Sequence, residues 1–182
     1  LCNNNYIFNI MYSNKFYKKY KKNIYSQNGE DGIVEELLKR LNINKGWVCE
    51  FGAWDGIHLS NTFNLVKKNF NAVFIEGDSN KYNDLLTTVE KFPNIIPIQA
   101  YVDHNDTYNS LDNLLKQTNI PNDFDILSID IDSYDYQVWK SLIVYKPKIV
   151  IIEINSSVKV NNPDWIHTQN KYLGTGFKPT YD

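Results

Sequence analysis

The chain has 182 residues, 42% of them hydrophobic and 22% charged, which suits one ordinary domain with a substantial core. A formal net charge of −2 argues against any general attraction to nucleic acid or anionic lipid, so a partner must be recognised at a specific site. Two cysteines, Cys2 and Cys49, are too few for a disulfide framework and fit a reducing, cytoplasmic compartment, and no run reaches the roughly 20 apolar residues of a membrane helix.

Residues 1–25 read as a polar, aromatic arm in which Lys15, Lys18, Lys19, Lys21 and Lys22 form a solvated basic face. The domain proper is expected over 26–182, without internal repeats. Asn28 with Asp31 three residues on has the form of a helix N-cap, and Ile33, Val34, Leu37, Leu38 and Leu41 recur at helical spacing to about residue 42. Gly46 is expected to break that helix. Strands are predicted over 47–51, 72–76, 95–100, 124–131 and 148–154, alternating with helices over 61–68, 79–91, 110–117 and 134–142. The fifth strand is almost entirely β-branched and is expected at the sheet centre, buried on both faces. Such alternation implies right-handed crossovers and a mostly parallel sheet, so the fold class is α/β, Rossmann-like and doubly wound. The chain opens on Leu1 instead of Met, and Pro163, Gly174, Gly176 and Pro179 mark an irregular end. It reads as a fragment, incomplete at the C-terminus.

In an open parallel sheet, ligands bind beyond the carboxyl ends of the strands. The first strand ends in Glu50-Phe51-Gly52-Ala53-Trp54-Asp55-Gly56, the second in Glu76-Gly77-Asp78, and the fourth in Asp130-Ile131-Asp132. Gly52 and Gly56 suit a tight turn close to a ligand. Glu76, 24 residues beyond Gly52, suits the two ribose hydroxyls of an adenosine, and Asp103 could accept from an adenine amino group. A dinucleotide fold wants G-x-G-x-x-G so that a pyrophosphate can approach, whereas here Trp54 and Asp55 fill the turn. An indole and a carboxylate are better company for a sulfonium cation, and Glu50 could take an ammonium group. S-adenosylmethionine is therefore favoured over NAD as cofactor. Asp130, Asp132 and His58 are the candidate bases, while two carboxylates alone are few for a divalent metal, so no metal is assigned. A non-catalytic Rossmann-like binding module and an NAD-dependent enzyme are the alternatives.

Five segments occur in order: Ser26-Gln27-Asn28-Gly29-Glu30-Asp31-Gly32, the turn from Glu50 to Gly56, Ser60-Asn61-Thr62, Phe74-Ile75-Glu76-Gly77-Asp78, and Leu127-Ser128-Ile129-Asp130-Ile131-Asp132. The set resembles the FkbM-type methyltransferases, class I enzymes dependent on S-adenosylmethionine, over about residues 25 to 155. In particular it is similar to the branch with a Ser-Gln-x-Gly-Glu-Asp leader and a Ser-Asn-Thr after the glycine turn. The resemblance implies cofactor contacts from Glu50, Gly52 and Gly56, the ribose on Glu76, and Asp130 near the methyl group; with Ala53 and Trp54 of the same turn and Asp103 near the end of the third strand, these make up the expected cofactor-binding set. It also implies O-methylation of a sugar or small-molecule hydroxyl, so the expected partner is a small-molecule or glycan acceptor. Many relatives carry glycine at the position of Ser133, so the loop at Asp132 is expected to differ in shape.

Overall fold

A computed structural model describes residues 18–105, 108–131 and 134–154. Its elements run α1 (Glu30–Arg40), β1 (Trp47–Phe51), α2 (Phe63–Val66), β2 (Asn71–Glu76), α3 (Ser79–Val89), β3 (Ile95–Gln99), α4 (Leu111–Leu115), β4 (Ile126–Ile129), α5 (Asp135–Ser141) and β5 (Ile149–Ile152). All paired strands are parallel, in the order β3-β2-β1-β4-β5. The chain works outward from β1 to β3, returns across the sheet to β4, and works outward again to β5. That reversal makes the fold Rossmann-like and doubly wound, with its topological switch point between β1 and β4.

Strand alternation divides the core into two layers. Val48, Ala72, Phe74 and Ile126 pack with Val34 and Leu38 of α1, Phe63 of α2 and Leu85 of α3. Cys49, Phe51, Val73, Ile75, Leu127 and Ile129 pack with Leu111, Leu114 and Leu115 of α4 and Val138 of α5. The same alternation turns Glu50, Glu76 and Ser128 toward the α1–α3 side. Cys49 is fully buried, and desolvation, helped by the Glu50 charge, pushes its thiol far up from the ordinary value. Among the described residues no helix is long and apolar enough to cross a membrane.

Three expectations are corrected. First, β5 is the outer strand of the described sheet, and all four of its residues are only partly buried. Its β-branched run reflects cover on both faces, with Val150 and Ile152 against one core layer and Ile149 and Ile151 against the other. Two-sided cover does not require a central position. Second, α1 is capped by Gly29, at φ 102, and not by Asn28. Asp31 instead reaches back over the preceding chain. Its Oδ2 accepts from the N–H groups of Ile24, Tyr25 and Ser26, each at 2.8 Å, and from the Ser26 hydroxyl at 2.7 Å. The helix stops at Arg40, with Asn42 in the left-handed region at φ 55, well before Gly46. Third, the helix expected over 61–68 shrinks to the four residues of α2, because Ser60, Asn61 and Thr62 are held in a turn described below.

Candidate functional site

The carboxyl ends of β1, β2 and β4 lie level. Phe51 pairs with Ile75 on one side and with Ile129 on the other, so Gly52, Glu76 and Asp130 are the next residues in the same row. Gly52 has φ +76, and its N–H and that of Ala53 both donate to the Ile75 carbonyl, at 3.1 and 3.2 Å. A Cβ on Gly52 would sit 2.0 Å from the Asp130 carbonyl oxygen. Only glycine lets the end of β1 close on the end of β4 in this way. Gly56 also has positive φ, +75, but a Cβ there would meet Leu85 and the Phe74 ring, each at 2.9 Å. Both glycines serve the turn. Only Gly52 lies exposed, while Gly56 and Ala53 back onto the core.

Glu76 is 6% exposed and already oriented by two backbone donors. The Trp54 N–H donates to its Oε2 and the Asp78 N–H to its Oε1, both at 2.8 Å. Trp54 achieves this in the left-handed region, at φ 46, which is unfavourable for an indole-bearing residue. An ionised carboxylate has about four acceptor sites, so each oxygen keeps capacity for one more donor. The result is a fixed carboxylate tying the Gly52 turn to the turn after β2.

The Trp54 side chain points elsewhere. Its Nε1 donates to Asp84 of α3 at 3.3 Å, the Lys81 ammonium lies 5.2 Å from its ring, and His58 packs edge-on at 5.1 Å. The indole therefore has its own cation, and His58 lies with it on the α3 side of the turn. Asp55 is engaged within the turn, its Oδ1 accepting from Ile57 and His58 N–H groups at 2.8 and 2.7 Å.

Glu50 is buried beneath the turn that follows. Its Oε2 accepts from the Ser60 hydroxyl at 2.8 Å, the Thr62 N–H at 3.1 Å and the Thr62 hydroxyl, and its Oε1 accepts from the Asn61 N–H at 3.3 Å. Burial pushes this carboxyl up from its ordinary range, and the donors of Thr62, Ser60 and Asn61 oppose the rise. The expected direct grip of Glu50 on an ammonium group meets this arrangement: the carboxylate is 6% exposed and committed to the 60–62 turn. Asn61, which the sequence reading took only as part of a motif, donates from Nδ2 to the hydroxyl of Ser128 at 3.1 Å. It thereby bridges β1 and β4 at the switch point.

Asp130 stands exposed just past β4, with Glu153 next to it in the row beyond β5. The Asp103 side chain is about half exposed; its Oδ1 accepts from the Asn105 N–H at 2.8 Å and lies 3.4 Å from His104 Nδ1. The sequence reading passed over Tyr101. Its ring, 70% exposed, lies against Gly77, where a Cβ would come within 2.3 Å of it. Only the absence of a side chain at residue 77 admits it. Asp132 lies outside the described residues, and among those described no three His, Cys, Asp or Glu side chains gather as a metal site.

No family model matches the chain, and no curated protein matches it significantly. Solved structures do align. A Klebsiella pneumoniae protein assigned as an O-methyltransferase is 9% identical, with a TM-score of 0.47, over 78% of this chain and 66% of its own. A SAM-dependent methyltransferase from Aquifex aeolicus is 16% identical, with a TM-score of 0.41, over 62% and 58%. Coclaurine N-methyltransferase, bound to N-methylheliamine and SAH, is 12% identical, with a TM-score of 0.43, over 72% and 38%. This chain thus spans less than two thirds of the length of each of the three. Likeness at this level bears on neither reaction nor acceptor.

Proposed function

We propose that this chain binds S-adenosylmethionine across the carboxyl ends of β2, β1 and β4 and transfers its methyl group to a hydroxyl of a sugar or other small molecule. The observation that carries the reading is Glu76. It is a nearly buried carboxylate at the end of β2, oriented by two backbone N–H groups, with acceptor capacity left on both oxygens. The adjacent hydroxyls of a ribose are donors that match such a pair of acceptors. Gly52 beside it provides the open backbone that a ligand can approach closely.

A dinucleotide would also accept an acid at this position, and the next segment separates the two readings. A pyrophosphate needs a helix N-terminus directly after the glycine turn. Here the first helix after β1 begins only at Phe63 and has four residues, and Gly56 is closed off by Leu85 and Phe74. The turn therefore suits a ligand without phosphates.

In this reading Glu76 holds the ribose, Gly52 and Ala53 line its path with backbone, and Tyr101 and Asp103 flank the adenine. Once bound, the cofactor supplies a methyl group made electrophilic by the sulfonium, so the protein's contribution is mainly positioning. Asp130 is the candidate to accept the hydroxyl proton, with Asp132 the second. His58, packed edge-on against Trp54, is given no role in this reading.

Parallel calorimetric titrations with S-adenosylhomocysteine and NADH test this choice. Saturable binding of the former at one site, without binding of NADH, is the expected result. Binding of NADH alone would replace the reading with a dehydrogenase.

A further inference from the structure

We infer that Asn61 is the residue that recognises the amino-acid end of the cofactor, accepting a hydrogen bond from its α-ammonium group, and that Glu50 is the positioning residue beneath it. The inference rests on the methyltransferase reading. With the ribose at Glu76 on β2 and the base toward Tyr101 beyond β3, the methionyl chain runs the opposite way, over Gly52 toward β4. From β2 to β4 is two strand spacings, about 10 Å, a distance suited to an extended methionyl chain.

Few polar groups on that stretch can meet an ammonium group once Asp130, exposed just past β4, is given to the proton of the acceptor hydroxyl. Ser128 is fully buried, and the Glu50 carboxylate is nearly so and already accepts from three residues. Asn61 differs from both. It is only partly buried, its Nδ2 is fixed on Ser128, and its Oδ1 accepts from no described residue and is not sealed from solvent. An amide pinned at its donor end presents an oriented acceptor, which an ammonium group requires. Glu50 holds the Asn61 N–H at 3.3 Å, and its charge beneath the turn also favours a cation above it.

The test compares ligands that share the adenosine but differ at the amino-acid end. Titrate the full chain and the Asn61→Ala variant with S-adenosylhomocysteine, its deaminated analogue and 5′-methylthioadenosine. A hydrogen bond to a charged group predicts that Asn61→Ala weakens S-adenosylhomocysteine about tenfold or more. The variant should leave the deaminated analogue and methylthioadenosine unchanged. Asn61→Asp keeps an acceptor in place and should retain S-adenosylhomocysteine. Should Asn61→Ala fail to fold, Asn61→Gln, which displaces the amide by one methylene, should show the same selective loss. Equal affinities of wild type and variant for S-adenosylhomocysteine overturn the assignment of Asn61. So does an equal loss for all three ligands. If the wild type binds neither S-adenosylhomocysteine nor methylthioadenosine, the methyltransferase reading itself falls.

Discussion

Replacing Glu50 with alanine is expected to lower the unfolding free energy by about 3 kcal/mol. Two effects oppose each other. Removing the carboxylate relieves the cost of burying a charge, the same cost that pushes its pKa up. It also strips the acceptor from the Asn61 and Thr62 N–H groups and the Ser60 and Thr62 hydroxyls. The hydroxyls can rotate toward other partners, and the Thr62 N–H keeps the Ser60 hydroxyl oxygen at 3.2 Å, but the Asn61 N–H has no second acceptor among the described residues. An unsatisfied donor costs on the order of 1–3 kcal/mol and a lost bond to a charged acceptor about 1.5–3 kcal/mol, so the loss outweighs the relief. For a chain of this size the melting temperature should fall by roughly 6–12 °C. Glu50→Gln keeps one carbonyl oxygen for the Thr62 donors and should cost about half as much. Urea denaturation with an unchanged m-value is the measurement. A loss below about 1 kcal/mol for Glu50→Ala would mean that the 60–62 turn does not depend on this carboxylate.

The second large effect is expected at Gly52. An alanine there would place its Cβ 2.0 Å from the Asp130 carbonyl oxygen, with φ at +76. The left-handed backbone costs an L-residue about 1–2 kcal/mol, and forcing apart β1 and β4 adds about 1–3 kcal/mol. Since the obstacle is backbone, no rotamer relieves it. Gly52→Ala should therefore melt roughly 10 °C lower, and it should lose S-adenosylhomocysteine even where it remains folded. Gly56→Ala provides the contrast: its Cβ would meet the buried Leu85 and Phe74 side chains of the core and not the backbone of β4. That variant is destabilised too, but it should bind ligand once folded. Similar binding losses for both variants would contradict the division of labour between the two glycines.

That division was beyond the reach of the sequence. Two glycines four apart announce a turn, and the turn is there, but which of them faces the core depends on α3, whose Leu85 arrives 29 residues after Gly56. The alternation of strands and helices was legible because each β-branched run is short and bounded by polar turns. The parallel, doubly wound arrangement followed from the crossover rules, yet the position of β5 did not, since a strand covered on both faces has the same composition at an edge as at the centre. Glu50 was legible as an acid at a strand end. Its use was not, because its donors lie 10 to 12 residues away in a turn that reads as the start of a helix. The leader from Ser26 to Gly32 drew attention as a motif, and much of its chemistry proves architectural. Asp31 gathers the chain ahead of α1 through three N–H groups and a hydroxyl. Asn61 stood out only as a member of the Ser60-Asn61-Thr62 motif and Tyr101 not at all, for one reason: a neutral amide and an exposed tyrosine have no assignable role until Ser128 and Gly77 are beside them.

Glu76 carries the functional account, so the most direct measurement is the affinity of Glu76→Gln for S-adenosylhomocysteine. The substitution preserves size and one acceptor oxygen, but it points an amide NH2 at either the Trp54 or the Asp78 N–H and at one ribose hydroxyl. The variant should remain folded and bind S-adenosylhomocysteine at least about tenfold more weakly than the wild type, the worth of a charge-assisted bond. Affinity equal to that of the wild type would mean that Glu76 only ties two turns together, and the cofactor site would have to be sought elsewhere.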